Sequence, residues 1–249
     1  MIFRWRELIV ILLLIVGASN PALAAGERTL RVAVLENSPP MAYRDARGEL
    51  TGFSIGVINA VCEEMRAKCV LQVITLDRVL DVLANGEADI AAVSLLDTPE
   101  RRARILLAKP YFRSISLWFA KPGIAPGTAG VRVSVVGGSA QERFVLARQW
   151  PVVPVRSNGE LLAPLTAGQA DAAIVPMSTG LNLIKQAGMA PLGLESTVMN
   201  EPELGGDASF GISPRQPQLK VEVDAAIDRI KRNGVYDRIN SLFLPFRVN

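Results

Sequence analysis

The chain of 249 residues carries 27 basic and 24 acidic side chains and contains no histidine. The lack of histidine excludes Ser-His-Asp and Cys-His catalysis and histidine-ligated zinc. No block of basic residues stands out, which argues against nucleic acid as a partner. The composition therefore favours a binding protein, and we expect neither a cofactor nor a metal ion.

The first 24 residues have the pattern of an export signal. Arg4 and Arg6 give a basic start, residues 8–16 are an unbroken apolar run, and residues 22–24 (Ala-Leu-Ala) form a small-x-small cleavage motif. The apolar run is about half as long as a bilayer span requires. We therefore expect cleavage after about Ala24 and a mature protein in the periplasm.

The two cysteines, Cys62 and Cys69, follow one another closely in the chain. Export would permit a disulfide between them, and two free thiols are the alternative. Seven residues of continuous helix rise about 10.5 Å, which exceeds the roughly 7 Å limit between the Cα atoms of a disulfide. A disulfide therefore requires the helix to end between them, with Cys69 starting the next strand.

Two segments occur twice along the chain. "RVAVLENS" (31–38) is similar to "RVSVVGGS" (132–139), and "LANGEADIAAVS" (83–94) is similar to "LTAGQADAAIVP" (165–176). The first pair has the pattern of an opening strand. The second pair has the pattern of a helix end, a glycine turn and an apolar strand, as in parallel strands covered on both faces. The repeat predicts an α/β fold of two lobes, each a mostly parallel sheet flanked by helices.

The chain has two candidate crossings between these lobes, "SLWFAKPG" and "ASFGISPR", which are short extended runs before proline. If the chain crosses twice, the first lobe is discontinuous and closes with the tail, an amphipathic helix that stops and restarts at Asn233-Gly234. The predicted division is residues 25–118 with 209–249 for the first lobe and residues 119–208 for the second.

Ligands of open α/β sheets bind at the carboxyl ends of strands, a rule that selects "ENSPPM", "LLDTPER" and "VVGGSAQE". In the second loop, Thr98 suits the N-cap of a helix and Pro99 its first position. Arg101 then lies beside unpaired backbone N–H groups, where a guanidinium can hold a carboxylate through two parallel bonds. A solvated arginine on an ordinary capped helix is the alternative, and spacing alone favours it.

The third loop has similar features. Ser139 and Glu142 have capping-box spacing, and Gly137 and Gly138 would let a ligand approach the backbone closely. A plain turn between a strand and a helix is the alternative. Two such loops, one in each lobe, would allow the lobes to clamp a carboxylate as they close.

These motifs resemble those of the periplasmic solute-binding proteins of ABC importers, in the branch that binds polar amino acids (family 3 extracellular solute-binding proteins). The likeness runs from Leu30 to about Phe243 and includes "GELTGFSIGVINAVCEEM", "KPYF" and "AIDRIKRNGVYDRI". It implies two lobes joined by a double-crossover hinge, a ligand in the cleft, and a monomer that works with a membrane permease. The cysteine spacing is similar to the disulfide of members that take lysine, arginine, ornithine or histidine.

The resemblance also implies a set of ligand contacts. Arg101 would hold the ligand carboxylate, Ser94 would face the α-amino group, and the turn at Gly138 would contact the ligand through its backbone. With Ser38 of the first strand-end loop and the residues beside Arg101 and Gly138, the expected ligand-binding residues are Ser38, Ser94, Asp97, Thr98, Arg101, Gly138, Ser139 and Ala140.

The chain departs from the family where the ligand ammonium is recognised. Pro176 replaces the aspartate that pairs with the ammonium, Leu96 replaces a serine, and Leu35 replaces an acidic residue. Asp97 could substitute for the missing acid, neutralise Arg101 or face solvent. Because a buried ammonium without a partner costs several kcal/mol, we expect a carboxylate-bearing ligand that need not be an ordinary amino acid.

We therefore expect a periplasmic protein that binds a small carboxylate-bearing solute for delivery to an ABC importer. A non-transport accessory or sensor module that acts with another periplasmic protein is the alternative, which adjacent dehydrogenase or sensor genes would indicate. A more remote possibility is a cyclohexadienyl-type dehydratase, whose general acid would have to be Glu201 or Glu203.

Overall fold

A computed structural model describes residues 28–186 and 188–247. The predicted export signal lies outside the described residues. The strands are β1 (Arg28–Val34), β2 (Asn37–Ser38), β3 (Ala42–Arg44), β4 (Leu50–Thr51), β5 (Ala67–Val73), β6 (Ile90–Leu96), β7 (Leu106–Leu107), β8 (Phe112–Ser114), β9 (Ser116–Ala120), β10 (Val133–Val136), β11 (Val152–Val155), β12 (Ala172–Pro176), β13 (Glu195–Met199) and β14 (Gly206–Ile212). The α-helices are α1 (Phe53–Glu64), α2 (Val79–Ala84), α3 (Pro99–Arg104), α4 (Ala140–Ala147), α5 (Leu162–Thr166), α6 (Met177–Leu183), α7 (Pro217–Arg232) and α8 (Val235–Phe243).

The strands form two main sheets. The first has the order β5-β1-β6-β14-β7, with β8 also paired to β14, and the second has the order β11-β10-β12-β9-β13. In each sheet three neighbouring strands pair in parallel, and the remaining pairings are antiparallel. The predicted two-lobed α/β fold is confirmed, with mixed rather than mostly parallel sheets.

The chain passes from the first sheet to the second at Ile115, between β8 and β9, and returns between β13 and β14. Residues 116–118, which the predicted division gives to the first lobe, therefore pair in the second sheet. Residues 206–208, which it gives to the second lobe, pair in the first sheet. The physical reason is that Pro122 and Pro214 follow the ends of β9 and β14. Each proline lies beyond a strand that is already paired in its sheet, whereas in the prediction the two prolines marked the crossings between lobes.

The sequence repeat corresponds to a repeated contact between strand and turn. In the first lobe the backbone N–H of Arg31 donates to Asp89 at 2.8 Å, and its guanidinium donates to the Gly86 carbonyl at 2.7 Å. In the second lobe Arg132 donates to Asp171 at 3.0 Å and to the carbonyl of the equivalent turn glycine at 2.9 Å. The same contact thus fixes β1 against the start of β6, and the start of β10 against the start of β12.

Helix α1 ends at Glu64 and β5 begins at Ala67, which brings the two cysteines together. Cys62 and Cys69 form a disulfide with 6.1 Å between their Cα atoms. The predicted break in the helix and the pairing are confirmed, although Cys69 is the third residue of β5 rather than its first.

Helices α7 and α8 complete the first lobe by packing against α1. Val223, Ile227 and Ile230 of α7 are fully buried. The predicted restart is confirmed, because Asn233 caps α7 and Gly234, at φ 76°, allows α8 to begin. Among the described residues, no helix combines the length and apolar character that crossing a membrane requires.

Candidate functional site

A cavity of about 70 Å³ lies where the carboxyl ends of strands from the two sheets meet. The repeat supplies equivalent residues to its wall from each lobe. Ser38 and Ser139 follow the opening strands, while Ser94 and Pro176 stand at or near the ends of β6 and β12. The rule that ligands bind at carboxyl strand ends and the internal repeat thus indicate the same place.

Arg101 lies on this wall and is 3 % exposed. Its backbone N–H donates to the Thr98 hydroxyl at 3.3 Å, so the predicted N-cap of α3 is confirmed. Its side chain folds back into the protein, where Nη1 donates to the Leu96 carbonyl at 2.9 Å and Nη2 reaches the Gly138 carbonyl at 3.5 Å. The alternative of a solvated arginine is therefore wrong.

The Arg101 guanidinium is buried without a carboxylate in contact among the described residues. Burial lowers the pKa of Arg101 to about 10, an effect that the nearby charge of Arg143 increases and that of Glu100 opposes. The group is still cationic at neutral pH. Its Nε is buried and has no hydrogen-bond partner in the described protein, which makes it available to an anion.

Two hydroxyl groups on the same wall are also buried without a hydrogen-bond partner. Ser38 is 2 % exposed and Thr179 is 1 % exposed, and neither side-chain oxygen has a hydrogen-bond partner within the described chain. Buried polar atoms are normally paired, because leaving one unpaired costs free energy. Three unpaired polar atoms around one cavity therefore indicate a place for a polar ligand.

Beneath the wall, Tyr111 is held by two serines that line the cavity. Its hydroxyl lies 2.9 Å from Ser54 Oγ and 2.6 Å from Ser94 Oγ. Burial raises the pKa of Tyr111 well above its usual value, while the two serine hydrogen bonds act in the opposite direction. Tyr111 is therefore a neutral group that fixes the orientation of Ser94.

The turn before α4 uses most of its own polar groups. The Ser139 hydroxyl accepts from the Glu142 backbone N–H at 3.0 Å, so the predicted N-cap is confirmed. The Glu142 carboxylate accepts from the N–H of Gly138 at 2.7 Å, one residue before the capping-box position. The Gly138 N–H is thus engaged by Glu142 in this structure.

The predicted site residues divide into two groups. Asp97 pairs with Arg102 at the surface, the Thr98 hydroxyl caps α3, and the Gly138 carbonyl accepts from Arg101. These three lie just outside the wall. The structure brings to the wall Ser38, Ser94, Arg101, Ser139 and Ala140.

Sequence reasoning missed part of the wall, including Ser54, Thr179 and Ser178. Ser178 and Thr179 follow β12, which the sequence repeat makes equivalent to β6. Because the strand-end rule selects the loop after β6, the same rule applied through the repeat would have selected "MST" after β12. Ser54 stands near the start of α1 and carried no comparable pattern.

The acids that a dehydratase would require lie away from the cavity. Glu201 and Glu203 are absent from the described wall, and Glu203 contacts Arg148 at 3.8 Å. In the described part of the chain, no group of three or more potential metal-binding side chains occurs.

Comparison with known proteins agrees with the fold. The sequence profile of the bacterial extracellular solute-binding proteins, family 3, matches residues 30–245. The L-arginine-binding protein of Pseudomonas aeruginosa is 25% identical over 242 residues, which cover 92% of this chain and 93% of that protein. The lysine/arginine/ornithine-binding periplasmic protein of Escherichia coli (strain K12) is 26% identical over 257 residues, covering 98% of each chain.

A solved structure shows the same architecture. An ancestral arginine-binding protein bound to arginine superposes with a TM-score of 0.76 at 23% identity, covering 87% of this chain and 98% of that one. The family profile spans nearly all of the described residues. The chain therefore belongs to the bacterial extracellular solute-binding proteins of family 3.

Proposed function

We propose that this protein binds a small carboxylate-bearing solute in the cleft between its two lobes and delivers it to an ABC importer. The observation that carries the proposal is the buried Arg101 guanidinium, which has an unpaired Nε and no acidic partner among the described residues. A carboxylate bound there would supply the missing counter-charge and accept the free donor.

The proposed location and partners follow from the same reasoning. The export signal expected over the first 24 residues would take the chain to the periplasm. The named relatives are binding proteins, one of them described as periplasmic. We infer that the protein acts as a monomer with a membrane permease, and that it binds its solute without converting it.

The test compares Arg101→Ala with Arg102→Ala. Both arginines are in α3, but the Arg102 side chain is 55% exposed and pairs with Asp97 at the surface. Removing one partner of a buried charge pair costs about 2–5 kcal/mol of binding free energy. We therefore expect Arg101→Ala to weaken binding by at least about 30-fold, and Arg102→Ala to change it by less than about threefold.

The measurement is isothermal titration calorimetry with a panel of amino acids and organic acids. The proposal is wrong if no carboxylate binds the wild-type protein, or if the bound acid binds Arg101→Ala as tightly. Delivery is tested separately, by deleting the gene and measuring cellular uptake of the acid that binds. Unchanged uptake would contradict the role in import.

A further inference from the structure

We propose that the cavity selects short monocarboxylates that carry a neutral hydroxyl or carbonyl oxygen where an amino acid carries its ammonium group. The inference rests on the proposed function, in which Arg101 holds a carboxylate, and it specifies the chemical class of that solute. Three properties of the cavity support it: the charge of the wall, the hydroxyls that face the ligand, and the size of the space.

The wall carries a single charge. Among its described residues, Arg101 is the one charged side chain, and the others are apolar, hydroxyl-bearing or amide-bearing. One carboxylate neutralises this charge. An added ammonium would be removed from water with no counter-ion on the wall, at a cost that its attraction to the protein would not offset.

Among the described residues, the acids that flank wall residues in the chain are exposed or paired, and none of them lines the cavity. Each either faces solvent or is held by a partner on a neighbouring element. These acids are Glu36, paired with Arg44 at 2.7 Å, Asp77, which is exposed, Asp97, paired with Arg102, Glu100, paired with Arg143 at 3.1 Å, and Glu142, which accepts from the Gly138 N–H.

The hydroxyls of the wall suit a neutral oxygen. Ser38 and Thr179 are buried and unpaired within the described chain. Each can donate to a carbonyl oxygen or accept from a ligand hydroxyl. Ser94 and Ser54 bond to Tyr111 and keep an acceptor position for a ligand hydroxyl. Such neutral bonds satisfy an oxygen without requiring a counter-charge.

The size of the cavity points to a short acid. One water molecule requires roughly 10–15 Å³ of such space. The cavity of about 70 Å³ therefore has room for a few groups of about the size of water. This is the size of an acid with a short carbon chain.

The experiment titrates the wild-type protein calorimetrically with matched sets that differ only at C2. One set is pyruvate, L-lactate and L-alanine, and the other is 2-oxobutyrate, 2-hydroxybutyrate and 2-aminobutyrate. We expect the oxo or hydroxy acid to bind at least about tenfold more tightly than the amino acid of its set, or about 1.4 kcal/mol. The Arg101→Ala variant should lose this binding.

Pro176 gives a matched pair of variants that tests the electrostatic cause. It lies on the wall and precedes α6 as its N-cap, a position where Asp and Asn are both favoured. Pro176→Asp adds a carboxylate to the wall, and Pro176→Asn adds a side chain of similar shape without charge. We expect Pro176→Asp to shift the preference towards the amino acid by at least tenfold and Pro176→Asn to leave it within about threefold.

The outcomes separate the inference from the proposed function. If an amino acid binds the wild-type protein as tightly as its oxo and hydroxy counterparts, and Arg101→Ala abolishes this binding, the inference is overturned and the proposed function stands. The inference is also overturned if no oxo or hydroxy acid binds with Kd below about 1 mM. The proposed binding function fails if no acid of the wider panel depends on Arg101. Circular dichroism establishes whether each variant is folded. If a variant does not fold, the comparison of oxo, hydroxy and amino acids on the wild-type protein decides whether the inference holds.

Discussion

At the scale of single residues, Arg101 stands in the capped first turn of α3 and directs its guanidinium into the protein. The spacing of Thr98 and Pro99 predicted where Arg101 stands in α3, and the N-cap is observed. Spacing does not determine the direction of a long side chain, which here turns inward to the Leu96 carbonyl at 2.9 Å. The resemblance to a family, and not the local pattern, identified this arginine as a ligand contact.

Tyr111 offers a test of how the wall is held in place. In Tyr111→Phe, Ser54 and Ser94 lose a buried hydroxyl partner, and we expect the free energy of unfolding to fall by about 1–3 kcal/mol. Urea denaturation measures this change. Tyr43→Phe is the control, because Tyr43 is partly exposed in β3, and its loss should cost less than about 0.5 kcal/mol. Equal effects in the two variants would contradict a supporting role for Tyr111.

At the scale of secondary-structure elements, the repeat made the fold predictable. The paired segments predicted equivalent strands in both lobes. The Arg31–Asp89 and Arg132–Asp171 contacts show why, in each lobe, the first repeated segment begins with an arginine and the second contains an aspartate. The positions where the chain crosses between the lobes were predicted less accurately. "SLWFA" reads as a strand of either sheet, because its apolar residues record burial but not the identity of the neighbouring strand.

The two contacts differ in burial, which gives a stability prediction. The Asp89 side chain is 6% exposed, against 34% for Asp171, and it also accepts from Gln216. We expect Asp89→Asn to lower the free energy of unfolding by about 2 kcal/mol and Asp171→Asn by less than about 1 kcal/mol. Urea titrations at neutral pH measure both, and a larger loss for Asp171→Asn would contradict the prediction.

The same contacts predict the acid side of the stability curve. Hydrogen bonds from the Arg132 side chain and backbone hold the pKa of Asp171 at about 2, below its ordinary value of 3.8. At Asp89, burial raises the pKa, but hydrogen bonds from Arg31 outweigh it and the net shift is downward. Because each folded pKa lies below the unfolded one, the stabilisation is complete above about pH 5 and is lost as pH falls towards about 2. Each Asn variant should lose less stability than the wild type over this window.

At the scale of the whole molecule, several contacts join the two lobes across the cleft. Glu100 pairs with Arg143 at 3.1 Å, and the Asn37 amide donates to Ser157 Oγ at 2.9 Å. Gly138 lies against the backbone of Asp77, so closely that a Cβ at Gly138 would stand 2.5 Å from the Asp77 Cα. The sequence predicted that a ligand would approach this glycine turn closely, whereas in the structure the backbone of Asp77 in the other lobe lies against Gly138.

Gly138→Ala should therefore oppose closure of the lobes. The added methyl group would clash with Asp77, and a φ of +74° adds local strain. Gly130→Ala is the matched control, because its φ is +77° and nothing lies within 4 Å of the added atom. We expect Gly138→Ala alone to weaken ligand binding by at least about tenfold and to increase the radius of gyration in small-angle X-ray scattering with ligand present. If both substitutions weaken ligand binding equally, backbone strain rather than the clash with Asp77 causes the loss of binding.

The most direct test of the central claim is mass spectrometry of the protein purified from cells under native conditions. We predict that the wild-type protein and Arg102→Ala retain a small organic acid that is released on denaturation, and that Arg101→Ala does not. The same acid bound to Arg101→Ala in equal amount, or a co-purifying solute without a carboxylate, would contradict the assignment of Arg101 as the group that holds the ligand.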